Sequence, residues 1–272
     1  LAAPPVAVVP GSAGSVDMLA ALLPPERLAG LPEGSERYSA LQSADSPYLQ
    51  RPNFAAFRAE QLLALAPDLV IAHSWQPAET IARLADAAVP VLRLADGNSW
   101  AEVREQLLLL GQILGVDNVA AALVADYDRR VEALLAAHRS GQKLTAVCYS
   151  NGGAGGWVAG SQTTLDEVLR LAGLTNLAGS HGQVGHGTMT FEELLSLDPD
   201  VLVVGGAADA QQVGGTAAFL RGSEALSALQ AVANDRIVVL PSWLYTTTSQ
   251  YVVDAAEELA KRTAPWLSEA GH

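Results

Sequence analysis

Two lysines, Lys143 and Lys261, and one cysteine, Cys148, are all that the 272 residues hold of either type. With 16 basic against 29 acidic side chains, the net charge is −13. That balance excludes the basic footprint of a nucleic-acid-binding surface, and no Gly-Lys-Ser/Thr ending of a phosphate loop occurs. A lone cysteine excludes an intramolecular disulfide, and its place in the apolar run Leu144–Tyr149 marks it as a small buried hydrophobe. Half of the residues are hydrophobic, yet no charge-free run is long enough to span a bilayer. Catalytic signatures are missing as well: there is no Gly-x-Ser-x-Gly, His-Glu-x-x-His or Cys-x-x-Cys. The glycine run Gly152–Gly156 follows a strand pattern, but Val158 stands where a dinucleotide fingerprint needs glycine, and the next helix starts too late. No enzyme and no cofactor are therefore expected. The start at Leu1, without Met, fits a secreted protein lacking its signal peptide.

Against this background one stretch stands out. From Asp117 to Arg139 there is neither Gly nor Pro, and Val116, Ala120, Leu123, Tyr127, Val131, Leu134 and His138 recur at steps of three and four. Asp126, Asp128, Arg129, Glu132 and Arg139 fall on the other face. Asp117 is a natural N-cap and Ser140-Gly141 a stop, so the pattern predicts one helix of roughly 33 Å. Strand and helix signals alternate on both sides of it. Before it, strands are expected at Val6–Val9, Arg27–Leu31, Asp68–Ala72 and Val89–Leu94. Helices are expected at Ser15–Leu23, Phe57–Ala66 and Ala78–Ala87, and from the Ser99–Glu102 capping box to Leu114. After it come strands at Leu144–Tyr149, Asp200–Val204 and Arg236–Leu240, capping boxes at Thr164–Glu167 and Thr190–Glu193, and a helix over Gln250–Arg262. The fold class is α/β: two Rossmann-like lobes with mainly parallel sheets, 1–115 and 142–272, joined by a backbone helix over 116–141.

One internal echo is sharper than this general alternation. Residues 59–71 (Ala59, Glu60 … Pro67-Asp68-Leu69-Val70-Ile71) match residues 191–203 (Phe191, Glu192 … Pro199-Asp200-Val201-Leu202-Val203). Each is a helix, a Pro-Asp turn and a buried strand, with a glutamate seven residues before the proline, which points to duplicated lobes. This pair, with the long helix between, resembles the helical-backbone (class III) periplasmic substrate-binding proteins, the receptors of ABC importers for cobalamin, ferric siderophores and haem. Arg27-Leu28-Ala29-Gly30, Trp157–Ser161 before a helix ending Leu171-Ala172-Gly173, and Ala231–Ile237 extend the resemblance over nearly the whole chain.

The resemblance implies a monomeric extracytoplasmic or periplasmic protein that hands a metal chelate to an ABC permease dimer in the membrane, with no nucleic-acid partner. Ligands of open α/β sheets lie outside the carboxyl ends of the strands. Here that means the loops Pro10–Ser15, His73–Pro77, Asp96–Trp100, Tyr149–Trp157, Gly205–Asp209 and Ser242–Thr246. Aromatic residues there serve either as faces for a planar chelate or as packing. Trp243, following a strand in Pro241–Tyr245, is assigned to the pocket with Tyr245, Trp75 and Trp157, while Trp100 and Trp266 read as packing. By resemblance, Tyr38, Phe54, Tyr149 and His186 are further pocket positions; Phe54 and His186 each stand six residues before their lobe's glutamate. His73 is a pocket donor or a structural group, and His138 is structural. Glu60 and Glu192 are the expected permease-docking acids. A corrinoid such as cobalamin is the expected ligand, with a ferric siderophore or haem as alternatives. A receptor for bare zinc or manganese, using His73, His181 and His186, is a further one.

Overall fold

The computed structural model describes residues 3–139, 143–153, 155–206 and 215–269. The chain forms two compact units, Leu1–Asp128 with Thr247–Tyr251, and Arg129–Thr246 with Val252–His272. The division falls inside the long helix Asp117–Ala137 rather than at its ends. Residues 247–251 return to the first unit, which no sequence signal announces.

The first unit is built on strands β1 (Val8–Pro10), β2 (Leu31–Pro32), β3 (Asn53–Phe54), β4 (Leu69–His73) and β5 (Val91–Leu94). β1, β4 and β5 form a parallel sheet in that order, with Val9 beside Val70 and Val70 beside Val91. β4 is buried along its whole length, as its unbroken apolar run requires of a central parallel strand. β2 and β3 pair in parallel as a separate two-stranded ribbon. The helix Ala13–Leu22 begins on a capping box in which Ser12 and Ser15 bond each other's backbone, so it starts two residues earlier than expected. The helix Trp100–Leu114 opens on Ser99 and closes on Gly115 at φ 68°, as its sequence dictates.

The second unit has strands β6 (Thr145–Asn151), β7 (Gly156–Ala159), β8 (Thr175–Asn176), β9 (His186–Met189), β10 (Val201–Gly206) and β11 (Ile237–Pro241). β11, β10 and β6 run parallel, β8 pairs parallel to β6, and β7 and β9 continue the sheet antiparallel. The helix Thr164–Leu171 is capped by Thr163 to the Asp166 amide, one residue before the expected box, while Thr190 and Glu193 form the predicted one.

The echoed segments share a device. Ala66 and Asp198, each just before the Pro-Asp pair, take φ of 48° and 39°, left-handed conformations adopted where the chain turns out of a helix. The following carboxylates then fasten the first strand of their own unit. Asp68 accepts from the amides of Val6 and Ala7 at 2.7 and 2.9 Å, and Asp200 from the amide and hydroxyl of Thr145 at 2.8 and 2.6 Å.

Along the long helix the buried line is Ala120, Val124, Tyr127, Val131 and Leu134, with Val124 in place of the expected Leu123. The helix ends at Ala137, short of Arg139. The expected stop at Ser140-Gly141 lies outside the described residues. Its polar side is partnered: Asp128 accepts from Trp100 Nε1 at 2.7 Å and Arg104 Nε at 3.0 Å, and Arg130 bridges Asp254 and Glu257. Trp100 is thus a packing residue, buried and stacked on Tyr127 at 5.5 Å. Trp266 lies under the Arg236 guanidinium at 6.0 Å.

Candidate functional site

In the first unit the carboxyl end of β4 turns at His73–Gln76 and carries an indole into solvent. Trp75 is 58% exposed, while His73, two residues earlier, is 2% exposed. Their rings stack at 4.4 Å with planes 9° apart. Beneath the stack is a polar lattice. Ser12 Oγ lies 2.8 Å from His73 Nε2, the His73 amide donates to Gln76 Oε1 at 2.6 Å, and Gln76 Nε2 donates to the Gly11 carbonyl at 2.6 Å. Gly11 must be glycine at this approach, since an added Cβ would lie 2.5 Å from both Gln76 Nε2 and the Ile71 carbonyl. Ser74 donates to Asp96 at 2.8 Å, joining the loops after β4 and β5. Burial pulls the His73 pKa down to about 4, against the opposing charge of Asp96, so the imidazole is neutral at ordinary pH. His73 has its Nε2 engaged by Ser12 and its ring stacked under Trp75. Ser12, Gln76 and Asp96 were not singled out by sequence; only their loops were.

Two other expected positions of this unit differ from each other. Tyr38 is 40% exposed, with the Arg37 guanidinium 5.2 Å from its ring. Phe54 is 5% exposed and packs with Val9, Leu62, Val70 and Leu84. Its place in β3 turns it inward, so it is a core residue and offers no face to a ligand.

In the second unit the pleat sorts the candidates. β6, β7 and β9 pair so that Ser150 faces Trp157, which faces Thr188, while Ala159 faces His186. Directly paired residues and those two apart share one side of a sheet, so Trp157 and His186 are diagonal neighbours on one face. Trp157 is 57% exposed and His186 is exposed too. Tyr149 pairs with Val158, one step out of phase. It is therefore on the opposite face, fully buried with Val147, Leu202 and Val204. Its hydroxyl has no hydrogen-bond partner among the described residues. Tyr149 and Trp157, both expected at the pocket, therefore lie on opposite faces of the sheet. Gly156 is what lets the Tyr149 ring lie flat against β7: an added Cβ would come within 2.4 Å of it.

Trp243 and Tyr245 lie in the one-turn helix Ser242–Tyr245 directly after β11, and both are half-buried. The Tyr245 ring covers Gly205, and its hydroxyl stands 3.4 Å from Ser150 Oγ. Burial pushes its phenol well above the usual range. Trp75 and Trp243 thus follow the carboxyl ends of the parallel strands β4 and β11, while Trp157 lies on the antiparallel strand β7, opposite Ser150 near the carboxyl end of β6. The end of the expected Gly205–Asp209 loop lies outside the described residues. A hollow of about 510 Å³ lined by Leu69, Pro90, Val91 and Ile113 sits at the opposite, amino ends of β4 and β5, away from these rings.

Glu60 and Glu192 are both exposed on their helices. Glu60 meets Arg83 at 2.8 Å. Glu193, not Glu192, closes the capping box on Thr190, so Glu192 is not required to cap its helix. His181 bonds its own helix through the Leu177 carbonyl at 2.9 Å. Among the described residues no three His, Cys, Asp or Glu side chains cluster as a metal site, and no helix is long and apolar enough to cross a membrane.

Comparison with known proteins identifies the family of the chain. The chain is 26% identical over 213 residues to an uncharacterized ABC transporter substrate-binding lipoprotein, YvrC, of Bacillus subtilis, covering 76% of this chain and 65% of that one. It is 30% identical over 151 residues to a cobalamin-binding protein of Halobacterium salinarum, covering 55% of this chain and 41% of the relative. It therefore spans less than two thirds of either relative's length. A periplasmic haem-binding protein from Pseudomonas aeruginosa superposes with a TM-score of 0.80 at 26% identity, covering 96% of this chain and 93% of that one. Residues 8–244 match the family described as periplasmic binding protein, and the chain belongs to that family.

Proposed function

We propose that this protein is the extracytoplasmic substrate-binding component of an ABC importer for a tetrapyrrole metal chelate, a corrinoid such as cobalamin. The observations that carry the reading are two indoles more than half exposed: Trp75, just after the carboxyl end of the central strand β4, and Trp157, on β7 opposite Ser150 near the carboxyl end of β6. A single exposed hydrophobic residue is ordinary, and these two draw attention because they are large aromatic rings beside strand ends, where ligands of α/β sheets lie. Aromatic faces supply contact area to a flat macrocycle at little cost in conformational entropy. The likeness to a cobalamin-binding protein supports the corrinoid. Haem is the second reading, and a specific observation favours it. His186 is exposed beside Trp157, where an imidazole can reach the metal of a ring stacked on the indole.

Binding and release of an unchanged ligand need no catalytic group. Exposed Glu60 and Glu192, one in each echoed helix, are the acids proposed to meet basic side chains of the permease. Thermal unfolding in the presence of hydroxocobalamin, haemin and a ferric hydroxamate tests the ligand. A molecule that binds only the folded state raises the midpoint by an amount that grows with the logarithm of its concentration over its Kd. The expected order of stabilisation is hydroxocobalamin, then haemin. A shift with the hydroxamate alone overturns the assignment.

A further inference from the structure

The exposed indole of Trp75 would by itself be a poor platform. A tryptophan on a loop has two free side-chain torsions, and a ligand that fixes them loses part of its binding free energy to that ordering. Here the indole already rests on a partner ring. One face of the indole lies on the His73 ring at 4.4 Å and 9°, and the other is open to solvent. His73 is itself held: it ends β4, its amide is tied to Gln76, and its Nε2 is tied to Ser12, the N-cap of the helix Ala13–Leu22. Gln76 reaches the Gly11 carbonyl from the same turn. Two neighbouring parallel strands, β1 and β4, thus meet under one surface ring through the buried His73 and Gln76 and the half-buried Ser12 and Gly11.

We infer that His73 is a positioning residue, holding Trp75 as a preorganised stacking face for the chelate ring, with Ser12 fixing the imidazole from below. The inference rests on the proposed function, since it takes Trp75 to be a ligand contact. It assigns His73 no contact with ligand or metal, because its ring is covered on one face by the indole and the residue is 2% exposed.

Geometry also says which substitutions separate the roles. His73→Phe keeps an aromatic ring under the indole but removes both nitrogens. His73→Ala removes the ring. Ser12→Ala removes the anchor, together with the cap of the helix Ala13–Leu22, and leaves the stack. The full chain would be titrated with cyanocobalamin by equilibrium dialysis for the parent, these three variants and Trp75→Ala. In the ligand-free proteins, time-resolved fluorescence anisotropy would report Trp75, isolated as the difference from Trp75→Phe. The expected result is that His73→Ala adds a fast local component to the Trp75 decay and weakens binding about tenfold, comparable to losing one aromatic anchor. His73→Phe should restore both, and Ser12→Ala should fall between.

Should His73→Ala prove unfolded, Ser12→Ala against His73→Phe carries the same comparison. A freed indole with unchanged affinity, while Trp75→Ala weakens binding, overturns the positioning role and leaves the proposed function standing. Loss of binding in His73→Phe with the indole still rigid overturns it in favour of direct contact by His73. Unchanged affinity in Trp75→Ala removes Trp75 from the site, and the inference with it, whatever the anisotropy shows.

Discussion

Asp17 offers the sharpest test of the first unit's interior. The residue is 1% exposed on the helix Ala13–Leu22. One oxygen accepts from the Ala40 amide at 2.7 Å and the other from Ser249 Oγ at 3.1 Å, while its carbonyl accepts from Gln250 Nε2 at 3.0 Å. These bonds hold the irregular stretch around Ala40 and the returning segment 247–251. Burial outweighs them and raises the carboxyl pKa from 3.8 to about 7. A carboxyl raised on folding stabilises the folded state fully below pH 3.8, and that contribution is lost as pH rises through about 7. Between pH 5.5 and pH 8 the folded state should lose about 2 kcal/mol through this one group, at 1.36 kcal/mol per pH unit. Asp17→Asn keeps the shape and an acceptor for Ala40 but cannot ionise. Urea denaturation of both proteins at these two pH values, clear of the pI near 4.7, isolates the effect as a difference of differences. The variant should gain about 2 kcal/mol relative to the parent on going from pH 5.5 to pH 8. A stability difference that is the same at both pH values would refute the reasoning, and Asp17 would then be ionised in its bonds throughout.

Four further outcomes are expected. Tyr149→Phe removes a buried hydroxyl with no partner among the described residues and should raise stability by about 1 kcal/mol; a loss on denaturation would show that the hydroxyl is satisfied. Gly156→Ala drives a methyl into the Tyr149 ring and should cost about 1–3 kcal/mol, measured the same way. Phe54→Ala should cost about 3–5 kcal/mol of stability as a core deletion, whereas Trp157→Ala should change stability little and weaken cyanocobalamin binding; the reverse pattern would exchange their roles. Glu60→Ala and Glu192→Ala should leave ligand affinity unchanged and weaken capture by permease-containing vesicles, and lost ligand binding in either folded variant would place the ligand elsewhere.

Much of the fold was legible because it rests on local rules. Caps at Ser99 and Thr190, the Gly115 stop and the unbroken run Leu69–Ala72 each follow from side chains within a few residues. The echo around Pro67-Asp68 and Pro199-Asp200 was visible for the same reason, although the carboxylates' task of fastening β1 and β6 was not. What escaped depends on distant partners. β7 and β9 lie in glycine-rich sequence with no apolar alternation, so neither strand is announced, and without their register the pleat that parts Tyr149 from Trp157 cannot be read. Phe54 and His186 occupy matched positions in sequence, yet one is turned into a core and the other out from the edge strand β9. Adjacent hydroxyls at Thr163 and Thr164 left the cap uncertain by one residue, and the helical period allowed Leu123 as readily as Val124. Asp17 gave no local signal at all, since its partners stand 23 and 232 residues away.

The central claim, that the exposed indoles serve a tetrapyrrole chelate, is tested most directly by isothermal titration of the purified chain with cyanocobalamin and with haemin. Saturable binding of one equivalent of cyanocobalamin, weakened in both Trp75→Ala and Trp157→Ala while the fold stays intact, is the predicted result. Absence of saturable heat with either tetrapyrrole, together with tight binding of a ferric siderophore or a bare divalent cation, would contradict it.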